Sequence, residues 1–254
     1  MSTKDPSRLE PTSRTLAKRR AHRAQYDVAT VHAIIDEALV CHVAFVDPDG
    51  GHPVVLPTMH ARVGSELFLH GSAKNRMFGA LATGIPCSVA FTLVDGLVFA
   101  RTAFHHSMNY RSVVAFGTAR AVTDWEAKKS ALRAIVDKAA VGRANEVRAP
   151  SPEELAATLV VKLPIIEASA KIRSGPPVDK GDELDEPVWA GEVPLRVVAG
   201  APVADVALAT GMAVSPSIAA RVASFTSPRA IGASPSPATE ERTPGRRSAD
   251  GNAV

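Results

Sequence analysis

The chain has 254 residues, of which 46% are hydrophobic, and this length and composition are enough for one sizeable core. Its formal net charge is +3. Its two cysteines, Cys41 and Cys87, lie far apart without Cys-x-x-Cys spacing, which excludes a disulfide framework and a thiolate zinc site and indicates buried thiols in a reducing cytoplasm. No run approaches the ~18 apolar residues of a membrane helix, and the N-terminus lacks an apolar signal core, so we expect a cytoplasmic protein outside the membrane.

The positive charge is concentrated at the two ends of the chain. Residues 1–25 carry seven Lys or Arg against two Asp or Glu, and residues 221–254 carry five against three. The part between them is therefore mildly acidic, which argues against a nucleic-acid-binding surface on the globular domain. We expect the basic arm to be solvated or docked on protein, and this is favoured over contact with RNA or lipid.

The first half of the chain predicts a helix, three strands and a second helix. Thr30 is predicted to cap a helix whose apolar positions extend to Leu39 at helical spacing. Three strands follow as an antiparallel meander, at 41–46, 54–63 and 67–69, with Gly-rich or Pro-containing turns between them. A short helix over 74–83 ends at Gly84, and Pro86 blocks its continuation.

The second half predicts further strands, one long helix and a tail. Strands are expected at 87–94, 97–100, 113–122 and 188–198, with a helix at 125–141 and a bent strand or strand pair at 159–172 around Pro164. The first two strands flank an Asp95-Gly96 turn. From residue 201 the chain is rich in Ala, Ser and Pro, which predicts disorder with short helices at 204–210 and 217–223.

Many short antiparallel strands with two or three helices predict a mainly β, α+β fold, in which an antiparallel β-barrel carries flanking helices. We expect a basic N-terminal arm at 1–25, the barrel domain at 26–200 and a disordered tail at 201–254. Neither Gly-x-Gly-x-x-Gly nor Gly-x-x-x-x-Gly-Lys is present, so any phosphate must be bound in another way.

One candidate site is the polar stretch that precedes the strand at 113–122. Asn109, Tyr110, Arg111 and Ser112 bring together donors suited to phosphate, carbonyl or ring-nitrogen acceptors. An ordinary loop entering a barrel strand is the alternative interpretation.

A second candidate site is the turn between the strand at 67–69 and the helix at 74–83. A hydroxyl, an ammonium and a guanidinium coincide there with a helix N-terminus, whose unpaired amides favour anions. The alternative is a Ser N-cap beside two solvated cations. The residues of this turn are His70, Gly71, Ser72, Lys74, Asn75 and Arg76.

Together the two stretches resemble a known family. The sequence is similar to the pyridoxamine 5′-phosphate oxidase-like FMN-binding split barrels, in particular to the flavin-nucleotide-binding branch related to nitroimidazole-resistance proteins. The resemblance covers residues 14–200 and depends on the segments 39–46, 57–58, 69–72, 95–98, 106–113, 168–171 and 189–191. The Arg-x-x-Leu-Leu-Lys strand and the Ser-Arg-Lys phosphate clamp of true pyridoxamine phosphate oxidases are not reproduced, so vitamin B6 oxidation is not implied.

The resemblance implies a homodimer with FMN bound in a cleft between the protomers. It assigns the phosphate to the strand-to-helix turn, with Ser72, Lys74 and Arg76. It places the strand of Pro57, Thr58 and Met59 along the isoalloxazine ring. The partner subunit would contribute the stretch 109–112.

The implied activity is reduction of a small organic electron acceptor with electrons from a nicotinamide donor. Three alternatives stay open: a flavin store or sensor without turnover, a haem-binding split barrel, and a reductase that uses a deazaflavin. The histidines lack a zinc spacing such as His-Glu-x-x-His, so we expect no metal site and assign them structural or hydrogen-bonding roles, with His70 closest to the proposed cofactor.

Overall fold

The computed structural model describes residues 5–226, which form eleven strands and five helices. The strands are β1 Ala24–Gln25, β2 Cys41–Val46, β3 Pro53–Thr58, β4 His60–Val63, β5 Glu66–Ser72, β6 Pro86–Phe99, β7 Ser107–Thr118, β8 Arg120–Ala121, β9 Thr158–Pro164, β10 Ala168–Arg173 and β11 Gly191–Pro194. The helices are α1 Val28–Glu37, α2 Arg76–Ala82, α3 Trp125–Ala139, α4 Pro152–Ala157 and α5 Pro216–Thr226.

The strands form two antiparallel sheets around one core. Seven strands belong to the first sheet, in the order β1-β10-β7-β6-β2-β3 with β11 paired to the end of β6, and four to the second, in the order β4-β5-β9-β8. The chain passes from one sheet to the other four times, where β3 leads into β4, β5 through α2 into β6, β7 into β8 and β9 into β10. Across residues 5–226 the sheets do not close into one ring, and the mainly β, α+β split barrel with flanking helices is confirmed.

Alternating side chains explain why the larger sheet has one buried face. On β2, Cys41, Val43 and Phe45 are buried whereas His42 is exposed. Helix α1 contacts β6, β7 and β10, and it buries Val31, Ile34 and Ile35.

Both cysteines are buried free thiols, as expected, and burial raises the pKa of Cys41 to about 12.

Three predictions about the strands are wrong. The segment 54–63 is not one strand, because the chain bends at Met59: β3 pairs with β2 and β4 pairs with β5. Asp95 and Gly96 do not form a turn, because β6 runs through them and absorbs one extra residue in a bulge between Val94 and Gly96. The polar stretch 105–112 does not precede the strand as a loop, because β7 already begins at Ser107 and includes most of the stretch.

Two helix predictions also need correction. Helix α1 is capped by Asp27, whose side chain accepts a hydrogen bond from the Thr30 amide at 2.8 Å, so Thr30 lies inside the helix. Residues 204–210 form turns and irregular chain instead of a helix. No helix in the part of the chain that the structure describes is long and apolar enough to cross a bilayer.

Parts of the basic N-terminal arm, within residues 7–15 and at β1, lie against the rest of the fold. The Leu9 amide donates to the Tyr26 carbonyl at 2.8 Å, and β1 pairs with β10. Arg14 Nε donates to Glu167 Oε1 at 2.9 Å, and Thr15 is buried. The docked form of the arm is therefore the one observed.

Part of the tail is also docked. Ser217 of α5 is buried, and its amide and hydroxyl donate to the Glu146 carboxylate at 3.0 and 2.5 Å. These bonds are the largest cause of the lowered pKa of Glu146, about 2. The expected helix at 217–223 is thus confirmed, and the expected disorder does not hold for residues 216–226. The rest of the tail, 227–254, lies outside the described residues.

Candidate functional site

The turn between β5 and α2 is built by its own polar side chains. Asn75 caps α2, because its side-chain oxygen accepts from the amides of Met77 and Phe78 at 2.9 and 3.4 Å. The Ser72 hydroxyl accepts from the Lys74 amide at 3.2 Å. Asn75 and Ser72 therefore fix the shape of the turn, and the capped amides of α2 are already paired.

Two cations project from this turn. Lys74 and Arg76 are both exposed, and the Arg76 side chain is 65% exposed. Arg76 Nη1 lies 3.4 Å from Oδ2 of Asp47, a buried carboxylate that His52 also approaches at 3.5 Å. The Lys74 ammonium and most of the Arg76 guanidinium thus remain accessible to an anion.

Strand β3 forms the edge of the larger sheet, and the hairpin that joins it to β2 carries Asp47, which Arg76 of the turn approaches. Its outward-pointing backbone groups are available to a ligand, because β2 is its only paired strand in the described sheet. His60 pairs with Leu69, so the next residues along the two strands, Met59 and His70, lie opposite each other. Pro57 and Thr58 pair instead with His42 and Cys41 of β2, so the grouping of residues 57–59 with 70–72 in one site stays a prediction.

The packing beneath the turn requires a glycine at position 71. A Cβ atom on Gly71 would lie 2.3 Å from the ring of Phe78, which packs onto β5 from α2. The neighbouring His70 is half-buried, and burial lowers its pKa. Its Nδ1 atom is buried without a hydrogen-bond partner in the structure. His70 therefore lies on β5 opposite Val160 of β9, where burial favours its neutral form.

The residues 109–112 of β7 do not act as one group. Asn109 is buried, donates to Glu192 and accepts from Arg173. The Arg111 guanidinium is bound bidentately by Glu37 at 2.6 and 2.9 Å and by Asp95 at 2.7 and 2.9 Å. These two side chains are committed to contacts within the chain.

Tyr110 and Ser112 alternate with these residues and point to the opposite face of the larger sheet. Both are half-buried, and the Ser112 hydroxyl donates to the Lys171 carbonyl at 3.3 Å. Within one chain they are far from β3, since β6 and β2 lie between, a separation of at least about 14 Å for three strand spacings. One protomer therefore does not bring residues 109–112 to residues 57–59.

Sequence reasoning missed an aromatic surface beside the start of β7. Phe104 and Trp189 are 86% and 67% exposed, and the Phe99 ring lies 6.0 Å from His106 and 6.1 Å from Trp189 between ring centroids. Sequence alone interprets Trp189 as a core residue, because large aromatic side chains are usually buried. Between residues 5 and 226, no three His, Cys, Asp or Glu side chains gather as a metal-ion site.

Comparison with known proteins adds the family. The pyridoxamine 5′-phosphate oxidase model matches residues 27–172. The FAD and haem binding protein from Mycobacterium smegmatis is 37% identical, with a TM-score of 0.75, over 78% of this chain and 97% of that one. The flavocytochrome Anf3 from Azotobacter vinelandii is 34% identical, with a TM-score of 0.78, over 85% of this chain and 98% of that one.

A putative 5-nitroimidazole antibiotic resistance protein from Bacteroides thetaiotaomicron is 22% identical, with a TM-score of 0.50, over 59% of this chain and 86% of that one, which shows a shared fold. No curated protein matches the chain. The family model covers more than half of the sequence. The alignments with two relatives above 30% identity extend over almost the whole length of each relative. The chain belongs to the pyridoxamine 5′-phosphate oxidase-like split barrel family.

Proposed function

We propose that this protein binds a flavin nucleotide and uses it to reduce a small organic acceptor. The observation that carries the proposal is the cationic β5–α2 turn, whose Arg76 approaches Asp47 in the hairpin that leads into the edge strand β3. The turn presents Lys74 and Arg76 to a phosphate, and the edge strand offers backbone groups to the polar edge of a planar ring. A bound flavin supplies the redox chemistry, and the protein supplies binding, orientation and exclusion of water.

The described residues fit such a ligand. Leu56 of β3 and Met59, which follows the strand, are 39% and 40% exposed and offer a ring apolar contact. Burial of His70 on β5 lowers its pKa and so favours the neutral imidazole. We propose FMN as the minimal ligand, and FAD places the same phosphate and ring in this site with an added adenylate.

The proposal includes a haem group, because both relatives above 30% identity are named for more than a flavin. One is called an FAD and haem binding protein and the other a flavocytochrome. The exposed rings of Phe104 and Trp189 offer apolar contact to a porphyrin. A nicotinamide donor is the proposed electron source, and turnover with it separates a reductase from a flavin store or sensor.

We further propose that two copies of the chain associate through the outer face of the larger sheet. That face carries mostly small, half-buried side chains, namely Ala44, Ser88, Ala90, Ser112 and Val114. A second copy seated there is the means by which Tyr110 and Ser112 reach the flavin of the other protomer. Light scattering at micromolar concentration is expected to give the mass of a dimer, and a monomer mass would contradict this arrangement.

Replacing Lys74 and Arg76 together with alanine is expected to weaken flavin binding. Arg76→Ala alone should cost about 1.5–3 kcal/mol of binding free energy, because it removes a charge-assisted contact to phosphate. Quenching of flavin fluorescence during titration of the apoprotein measures the affinity.

The matched control is Lys129→Ala on α3, which removes an exposed lysine that pairs with Glu126 at 2.7 Å and lies outside the site. This control should bind FMN and FAD as the wild type does. Unchanged affinity of the Lys74→Ala/Arg76→Ala protein would remove the turn from the flavin site.

A further inference from the structure

We propose that His106 is the axial ligand of the haem iron, at the aromatic surface formed by Phe99, Phe104, His106 and Trp189. This inference depends on the haem part of the proposed function and adds the residue that binds the metal. We call these four side chains the His106 surface.

The imidazole of His106 has the hydrogen bonding of a metal ligand. Its Nδ1 atom lies 2.9 Å from the Thr102 carbonyl oxygen, which can only accept, so Nδ1 carries the proton. Nε2 is then the nitrogen with the free lone pair, and the side chain is exposed. Histidines that bind metals usually donate their other ring N–H to a carbonyl or carboxylate, which fixes the ring orientation.

The rings around His106 present an apolar face of the kind that a porphyrin requires. The Phe99 ring meets His106 edge-on at 86° and lies 6.1 Å from Trp189 between centroids. Phe104, two residues before His106, is 86% exposed. Large aromatic side chains that stay exposed, as Trp189 does beside Phe99, indicate a ligand or a partner, and burying them against haem removes apolar area from water.

The turn that holds His106 is anchored from below. Asp179 is almost fully buried, and its Oδ2 atom accepts from the Arg101 amide at 3.0 Å and from Arg101 Nη1 at 3.2 Å. This contact fixes the residue that precedes Thr102, whose carbonyl orients His106. A ligand on a fixed turn keeps its geometry without a further ordering cost.

Other histidines of the described chain are engaged differently. His60 is fully buried with Nε2 on the Ile35 carbonyl at 2.8 Å. His105 Nε2 lies 3.2 Å from Glu183, and the Nδ1 atom of His70 is buried. Between residues 5 and 226, His106 is the histidine that combines an exposed ring, an Nδ1 bond to a backbone carbonyl and neighbouring exposed aromatic rings.

The test is haemin titration of the full-length protein, wild type and His106→Gly, followed by absorbance. The wild type is expected to show a Soret band shifted from that of free haemin. In His106→Gly the shift should be lost and the affinity should fall at least about tenfold. Added imidazole should restore the wild-type band in the variant, because it can take the vacated ligand position.

Two control variants separate ligation from packing. His105→Gly should keep the wild-type band, and Phe104→Ala should weaken haem binding while leaving the band position unchanged. If the wild type binds haemin and His106→Gly keeps its affinity and band, the assignment of His106 is overturned and haem binding stands. If the wild type binds no haemin, the haem part of the proposed function fails together with the assignment, and flavin binding is unaffected.

Discussion

Replacing Arg111 with methionine lowers the free energy of unfolding by about 2–3 kcal/mol, because the substitution removes the guanidinium that bridges Glu37 of α1 to Asp95 of β6. Breaking a buried ion pair typically costs 3–5 kcal/mol, and the 29% exposure of the Arg111 side chain reduces this figure. Both carboxylates raise the pKa of Arg111, which stays charged. Urea unfolding followed by circular dichroism measures the loss.

The compensating variant is Glu37→Gln/Asp95→Asn/Arg111→Met, which also removes the two negative charges. It should recover part of the lost stability, since neutral amides need no cation. If Arg111→Met unfolds at the wild-type urea midpoint while its flavin affinity falls, Arg111 belongs to the cofactor site and its bridging role is wrong. If stability falls and the affinity of the folded protein for flavin is retained, the structural role is confirmed.

The second large effect is an acid-induced loss of stability that His60 causes. This side chain is fully buried against Phe91, and burial lowers its pKa from 6.5 to about 4. Below pH 6.5 the unfolded chain binds a proton that the folded protein excludes, so stability is full above pH 6.5 and is lost as the pH falls towards 4. The expected loss is about 2–4 kcal/mol over this range.

Urea midpoints at pH 7.5, 5.5 and 4.5 measure this dependence. His60→Leu should be less stable at pH 7.5, because the bond to the Ile35 carbonyl is lost, but its stability should change less between pH 6.5 and 4. His70→Gln is the control, since burial lowers the pKa of His70 in the same direction and the variant still retains His60. An equally steep pH dependence in His60→Leu would show that other groups cause it.

The sequence predicts the elements whose signal is local. Strand β2 and helix α3 lie where alternation and helical spacing place them, and Pro164 separates β9 from β10. The bend at Met59 and the bulge at Gly96 escape prediction, because both depend on which strands pair across the barrel. A local pattern of apolar residues is the same for a straight strand and for one that changes sheets.

For the candidate site, too, the sequence predicts what depends on neighbours in the chain and misses what depends on the fold. The cations and the cap of the β5–α2 turn are recognisable from sequence because they are neighbours in the chain. Residues 109–112 are also neighbours, but strand alternation sends Asn109 and Arg111 to one face and Tyr110 and Ser112 to the other. The carboxylates that bind Arg111 come from positions 37 and 95, and only the folded chain brings them together.

The most direct test of the proposed function is the identity of the molecule that the purified protein releases on denaturation. The protein should show flavin absorbance before release, and mass spectrometry of the released fraction should find FMN or FAD. The two masses also decide between the mononucleotide and the dinucleotide. A protein that carries no flavin, and that binds neither FMN nor FAD when each is added in excess, would contradict the assignment of the β3 and β5–α2 junction as a flavin site.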